Sequence, residues 1–248
     1  MRCSLVGNGP REHHLRQLLL ANGHTLPSQP PWDVVVLSLP RSDLPRGMAD
    51  QLPCGQILIC GQTDEAFDEL AKKKQWQVLR VLKDEIYTQE NAWLSAEGAI
   101  FAAMELRQAA LRSASCLVVG YGRIGKALTE QLRGIGAHVT VAARRKQSRE
   151  EAGSTSVSIE DIVHILPHMD VIFNTVPSLV LNDDALRSIR LDALLLELAS
   201  APYGFDLESA RRMNLNAHLK SGIPGQYCPQ SAAQALYNYL NREVFSHA

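Results

Sequence analysis

SASCLVVGYGRIGKALTEQLRGIGAHVTVAARRK, residues 113–146, decides the fold of this chain. Cys116 to Val119 is an apolar run that reads as a buried strand. GYGRIG follows at once, with Gly120, Gly122 and Gly125 in G-x-G-x-x-G spacing. Lys126 to Arg133 then reads as a helix with Ile124, Leu128 and Leu132 on one face, and His138 to Ala142 reads as a second strand. A glycine pattern alone is weak. Between a strand and a helix that returns to a strand, it is a dinucleotide fingerprint. Gly120 allows the tight turn, Gly122 lets the backbone approach a pyrophosphate, and Gly125 lets helix and strand pack closely. Tyr121, Arg123 and Ile124 fill the turn between them. The helix start offers unpaired N–H groups to the phosphates.

The end of the second strand selects the nucleotide. An NAD-binding unit places Asp or Glu there, about 20 residues past the glycines, on the ribose 2′-hydroxyl. This strand runs instead into Ala143, Arg144, Arg145 and Lys146. Guanidinium groups suit a 2′-phosphate, so the expected cofactor is NADP, with NAD the weaker alternative.

Outward from this unit the same grammar repeats. Cys3 to Val6, Asp33 to Leu39, Ile57 to Cys60 and Gln77 to Leu82 read as strands. Arg11 to Ala21 and Asp64 to Lys73 read as helices between them. The turn Gly7-Asn8-Gly9 is a second strand–glycine–helix start that lacks a third glycine. Downstream, Gln147 to Ser158 reads as a loop and Ile159 to Leu166 as a short helix capped by Ser158. Strands follow at Asp170 to Thr175, Ala193 to Leu198 and Asn216 to Leu219, with helices at Asn182 to Ile189, Leu207 to Met213 and Ser231 to Val244. A long helix is expected over Ala96 to Leu111, with Glu97 in its first turn facing the space between domains. The expected fold is α/β: two Rossmann-like or flavodoxin-like parallel-sheet domains joined by a long helix. The domains are drawn at 1–95 and 96–228, with the C-terminal helix 229–248 returning to the first.

In a doubly wound sheet the loops after strand C-termini line the ligand crevice. Thr175, Val176 and Pro177, and then Leu198 and Ala199, are therefore expected at the cofactor. His13 and His14 are neighbours on one helix and point in different directions, so they do not read as a catalytic pair.

Composition narrows the function classes. A net charge of −1 gives no electrostatic reason to expect nucleic acid as a partner. No apolar run reaches membrane-spanning length, so no membrane partner is expected. The five cysteines are odd in number, lack CxxC spacing and sit mostly in apolar runs, which reads as free thiols in a reducing cytoplasm, with no zinc site.

Several segments in order carry a resemblance: Ala96-Glu97-Gly98, VVGYGRIGKALTEQLRGIGAHVTVAARR, FNTVPSLVLND, LELASAPYGFD and SGIPGQYCPQSAAQAL. From about Tyr87 onward the chain resembles the family of dipicolinate synthase A subunits, which is similar in layout to the alanine and 2-hydroxyacid dehydrogenases. The resemblance implies the catalytic component of a pyridine-nucleotide-dependent oxidoreductase of sporulating bacteria. It would oxidise a dihydrodipicolinate-like ring to dipicolinate with NADP⁺ as hydride acceptor. It implies a small dicarboxylate substrate and, as partner, a flavoprotein-like B subunit; a homo-oligomer is expected. Glu97 and Ser200 are then the catalytic candidates, and Ser200, Pro202, Gly222, Pro224 and Gly225 the substrate candidates. The family's LASKPGGTD appears here with Ala201 in place of its lysine and Tyr203 in place of a glycine. Its GLPGKVAPKTAG appears with Gln226 and Gln230 in place of both lysines. Arg11 or Lys220 is a candidate to supply the missing positive charge. A reductase of another imino or keto acid, and a non-catalytic nucleotide-binding protein acting through a partner, stand as alternatives.

Overall fold

Runs such as Val34-Val35-Val36 and Leu194-Leu195-Leu196 are apolar on both faces, which suits strands covered by helices on both sides. In the computed structural model, which describes residues 1–40, 42–153 and 155–247, they are interior strands of two all-parallel sheets. The chain divides into two compact units, Met1–Asn91 with Pro224–Ala248, and Ala92–Ile223. The division falls at Asn91 rather than 95, and at Ile223 rather than 228.

The first unit contains β1 (Cys3–Leu5), α1 (Pro10–Ala21), β2 (Val34–Val36), α2 (Met48–Gln51), β3 (Ile57–Cys60), α3 (Glu65–Lys73) and β4 (Gln77–Arg80). Its sheet order is β1-β2-β3-β4, and an isolated parallel bridge between Arg2 and Thr25 extends the edge beyond β1. The helices cover both faces of this sheet. Leu15 and Leu19 of α1 pack with Val34, Val36 and Ile59, whereas Phe67 and Ala71 of α3 pack with Val35, Leu58 and Cys60. Asp64 caps α3 by accepting from the Phe67 N–H at 2.8 Å.

The helix α4 (Glu85–Arg107) begins eleven residues before the expected Ala96. Asp84 supplies the start: its Oδ1 accepts from the Tyr87 N–H at 2.7 Å, and its other oxygen pairs with Arg242 at 2.7 Å. Glu97 therefore lies in the helix interior rather than in a first turn.

The second unit contains β5 (Ser115–Val119), α5 (Arg123–Gly134), β6 (His138–Ala142), α6 (Lys146–Ala152), β7 (Ser156–Val157), β8 (Val171–Asn174), α7 (Asp183–Arg187), β9 (Leu194–Glu197), α8 (Leu207–Arg212) and β10 (Asn216–Leu219). Its order, β10-β9-β8-β5-β6-β7, reverses between β5 and β8, so the loops after those two strands flank the switch point. The expected loop over Gln147 to Ser158 contains α6 and the edge strand β7. α6 is KQSREEA, almost wholly polar, and buries only Ser148 and Ala152, so it carries no apolar face to read. The expected short helix from Ile159 is a 3₁₀ segment, Ile159–His164, and Ser158 does not cap it, its hydroxyl turning instead to the Glu160 carboxylate. One core joins Leu117, Val119, Ile172 and Leu195 of the sheet to Leu166, Leu186, Phe205 and Ala210.

The chain ends in α9 (Ile223–Tyr227) and α10 (Pro229–Glu243). Leu236 and Leu240 of α10 share the first unit's core with Leu15 and Leu19. The GIPG segment opens on a left-handed Gly222 (φ 63°) and leads into the single turn α9.

Candidate nucleotide-binding site

The glycine turn is built by close packing. Gly120 has φ 96°, a conformation that side chains resist, and donates to the Ala142 carbonyl at 2.8 Å. That bond ties the turn to the end of β6. A Cβ on Gly125 would lie 2.2 Å from the Gly120 carbonyl oxygen, so only glycine lets α5 start this close to β5. Thr175 closes the far side, its hydroxyl donating to the Val119 carbonyl at 2.9 Å.

Gly122 is different. A Cβ there would meet nothing within 4 Å. It is the N-cap of α5, no side chain caps the helix, and no acid occupies the first turn. The start of α5 thus borders open space at Gly122, with the positive end of the helix behind it. A cavity of about 290 Å³ continues from this point and is lined by Gly120, Tyr121, Gly122, Arg144, Arg145, Ser148 and Val176. These residues fit a dinucleotide: an anion-binding helix start, a turn no side chain fills, and two guanidinium groups at the end of β6.

The exposed side chains of Arg144 and Arg145 make no salt bridge with another described residue. Lys146 is separate from them. It opens α6, lies 3.7 Å from Glu150, and lines a neighbouring recess with Arg149 and Gly153. Arg123 and Ile124 form the first turn of α5. Beside the turn, Lys126 pairs with Glu151 at 2.7 Å and lies 5.4 Å from the Tyr121 ring centroid. The hydrogen bond and charge of Lys126 hold the Glu151 carboxyl below the usual range.

The loops after β8 and β9 differ in exposure. Thr175 and Val176 are half-buried and Pro177 exposed, while Leu198 and Ala199 are buried. Ser200 and Pro202 are exposed at the tip of the second loop. Glu97 is exposed on α4. The structure assigns Gly222 to the second unit and Pro224 and Gly225 to the first. A Cβ on Gly225 would lie 3.9 Å from the Arg11 Cβ. Arg11 is buried, pairs with Glu12 at 2.7 Å, and donates to the Leu39 carbonyl at 2.7 Å.

Sequence reading missed Glu197 and Asn174. Both are fully buried at the C-terminal ends of neighbouring strands. Asn174 Nδ2 donates to Glu197 Oε1 at 2.7 Å, the Ala199 N–H to Oε1 at 2.9 Å, and the Gly204 N–H to Oε2 at 2.8 Å. Burial pushes the Glu197 carboxyl up, and the Asn174 and backbone donors only partly offset it. The visible signal was an acid closing the run Leu194-Leu195-Leu196. The buried cysteines do not compete as nucleophiles: burial pushes the Cys3 thiol up to about 11 and that of Cys116 up to about 12.

Residues 77–201 match the family described as D-isomer specific 2-hydroxyacid dehydrogenase, NAD binding domain. The chain belongs to this family. It is also similar to the A subunit of dipicolinate synthase from Bacillus subtilis (strain 168), at 26% identity over 196 residues, 78% of this chain. The aligned stretch spans 66% of that relative, just under two thirds of its length. Among solved structures, the dipicolinate synthase A subunit from Bacillus halodurans superposes with a TM-score of 0.85 at 22% identity, covering 97% of this chain and 96% of that one. The Bacillus subtilis protein gives 0.84 at 21% identity, covering 99% and 96%. An L-alanine dehydrogenase gives 0.68 at 12% identity, covering 99% and 91%. At these identities the structural likeness speaks for the fold, which is the parallel α/β layout shared by these dehydrogenases. Family membership makes the chain a dehydrogenase-type protein with a nicotinamide nucleotide as cofactor. Among the described residues, no helix is long and apolar enough to cross a membrane.

Proposed function

We propose that this chain is an NADP-dependent oxidoreductase of the dipicolinate synthase type. The observation that carries the cofactor choice is the end of β6. It runs into Ala143, Arg144 and Arg145 with no carboxylate, and both arginines line the same cavity as the glycine turn. Asp or Glu at that place would serve a ribose 2′-hydroxyl, whereas a guanidinium serves a 2′-phosphate. The likeness to a dipicolinate synthase supports the reaction class: oxidation of a dihydrodipicolinate-like ring to pyridine-2,6-dicarboxylate, with a flavoprotein-like B subunit as partner.

When bound, the nicotinamide ring supplies the hydride acceptor. The chain supplies the rest. Gly122 and the first N–H groups of α5 would hold the diphosphate, and Arg144 and Arg145 the 2′-phosphate. Thr175, Val176, Pro177, Leu198 and Ala199 would form the wall at the nicotinamide end, keeping water from its reactive face. Ser200, with Pro202, Gly222, Pro224 and Gly225, would meet the substrate, and Glu97 is the carboxylate assigned to proton transfer.

A second reading has an observation of its own. The loops 175–178 and 199–204 contain no Lys or Arg, and Gln226 and Gln230 stand where the family carries lysines. A dianionic substrate calls for cations, so the substrate would be a smaller imino or keto acid, handled by the same cofactor chemistry. Affinities for NADPH and NADH, measured on the wild type and on Arg144→Asp, test the cofactor reading. Preference for NADPH by about tenfold to a hundredfold, lost in the variant, is the expected result. Equal affinities for both nucleotides would contradict it. A panel of dicarboxylates and monocarboxylic imino acids, with and without the B subunit, then separates the two substrates.

A further inference from the structure

Glu197 poses a problem that packing does not solve. It is an ionisable group with 0% exposure at the end of a strand whose other members are leucines, and it forms no salt bridge with a described residue. An apolar side chain would cost less there. Its partners explain the choice. The Asn174 Nδ2 amide and the backbone N–H groups of Ala199 and Gly204 donate to it, three donors on two oxygens, and the Phe205 N–H adds to their pull on the charge. Only a carboxylate accepts from all of them. A glutamine would present its own NH₂ to some of these donors in either flip.

The partners belong to both loops at the ends of β8 and β9. Ala199, Gly204 and Phe205 lie in the loop after β9. Asn174 opens the loop after β8, where its side chain accepts from the Val176 N–H at 3.2 Å and donates to the Val176 carbonyl at 3.0 Å. Val176 lines the nucleotide cavity. Gly204 joins the loops a second time: its carbonyl accepts from the N–H groups of Val180 and Leu181, both at 2.9 Å. A Cβ on Gly204 would fall 2.2 Å from Asn174 Nδ2, so the two loops meet too closely for any side chain there.

We propose that Glu197 is a positioning residue, a buried carboxylate that fastens the loop after β9 to the loop after β8 and thereby sets Val176 and Ala199 for the nicotinamide end of the cofactor. This rests on the dinucleotide reading above. It predicts an effect larger at the nicotinamide end, because none of the donors to Glu197 comes from the glycine turn, Arg144 or Arg145, and of the residues it sets Val176 alone lines the cavity they share. Loss of Glu197 should weaken binding of the adenine end much less.

The test compares NADPH with 2′,5′-ADP, which carries only the adenine end, on the wild type, Glu197→Gln and Asn174→Ala, by calorimetry and nicotinamide fluorescence. Hydrogen exchange of the ligand-free proteins accompanies it. For Glu197→Gln, NADPH affinity should fall about tenfold and the bound nicotinamide fluorescence should change, while 2′,5′-ADP affinity stays within about twofold. The amides of Ala199, Gly204 and Phe205 should exchange faster, and those of Leu117 to Val119 should not. Asn174→Ala, which removes one donor and keeps the carboxylate, should give a smaller shift of the same kind. Parallel loss of both ligands, with faster exchange throughout β5, would make Glu197 a general stability element and overturn the proposal. Unchanged NADPH binding and fluorescence would overturn it too. A wild type that binds neither ligand would sink the dinucleotide reading itself, and the exchange data would then decide by themselves whether Glu197 holds the loops.

Discussion

The turn after β1 and the turn after β5 begin alike. Each opens with a left-handed glycine, Gly7 at φ 109° and Gly120 at φ 96°, and each passes an extended glycine N-cap, Gly9 or Gly122, into a twelve-residue helix without a side-chain cap. They part at the next position of the pattern. Where the second turn has Gly125, the first has Glu12. That carboxylate folds back over its own turn: a Cβ on Gly9 would lie 2.6 Å from Glu12 Oε2, and Arg11 holds Glu12 at 2.7 Å. The first helix start is covered by the protein's own anion. The second, with no acid in its first turn and Gly122 facing open space, is available to a ligand's. The first two glycines shape such a turn, and the third decides whether it can be used.

Substitutions at matched positions break or sharpen this contrast. The largest effect is expected from Gly125→Ala. Its Cβ would lie 2.2 Å from a backbone oxygen, so turn and helix must separate, at a cost of about 3 kcal/mol or more and with loss of nucleotide binding. Thermal unfolding and an NADPH titration check both parts. Next comes Glu12→Gln, which leaves the mostly buried Arg11 without its counter-charge. Denaturant unfolding should show a loss of about 3 kcal/mol, with NADPH affinity unchanged in the folded protein. Gly122→Ala is subtler. Its backbone, φ −84° and ψ −163°, suits alanine, so the melting temperature should hold within about 2 °C. The added methyl enters the space assigned to phosphate, so affinity should fall about tenfold. Gly9→Ala, meeting only the end of a flexible side chain, should alter neither property.

A smaller loss of stability than that of Glu12→Gln is expected at the other end of β5. Asp170 accepts from the Ser115 N–H at 2.8 Å and from Arg190 at 3.0 Å. Burial pushes its carboxyl up, but the Ser115 and Arg190 bonds outweigh that and hold it below its ordinary value. A depressed carboxyl contributes stability above its unfolded pKa and loses it as pH falls through the folded one. Asp170→Asn should therefore cost about 1 kcal/mol at neutral pH, and the difference should close below about pH 4. Unfolding curves at both pH values check this.

Much of this was legible in the sequence. Val34-Val35-Val36 and Cys116 to Val119 are apolar without alternation, and punctuation by glycine and proline made the parallel sheets readable. Both strands of the β5 to β6 unit emerged to within a residue because periodicity and turn chemistry agreed there, while α5 begins at Arg123, three residues before the expected Lys126. Misreadings fell where those signals conflict. α4 starts at Glu85 among Tyr87, Thr88, Gln89 and Glu90, with Ile86 66% exposed, so its first turns show no clear apolar stripe. α6 shows none at all. At the candidate site, the glycines and arginines were legible because their chemistry is local. Glu197 was not, because its partners lie up to 23 residues away and meet it only once the strands align.

The most direct test is a backbone-amide NMR titration of the wild-type chain with 2′,5′-ADP. Shifts are predicted at Gly120 to Gly125 and at Arg144 and Arg145, and none at Gly7 to Glu12. Shifts at Gly7 to Glu12, or a silent turn after β5, would contradict the claim that only the second glycine turn is open to a ligand.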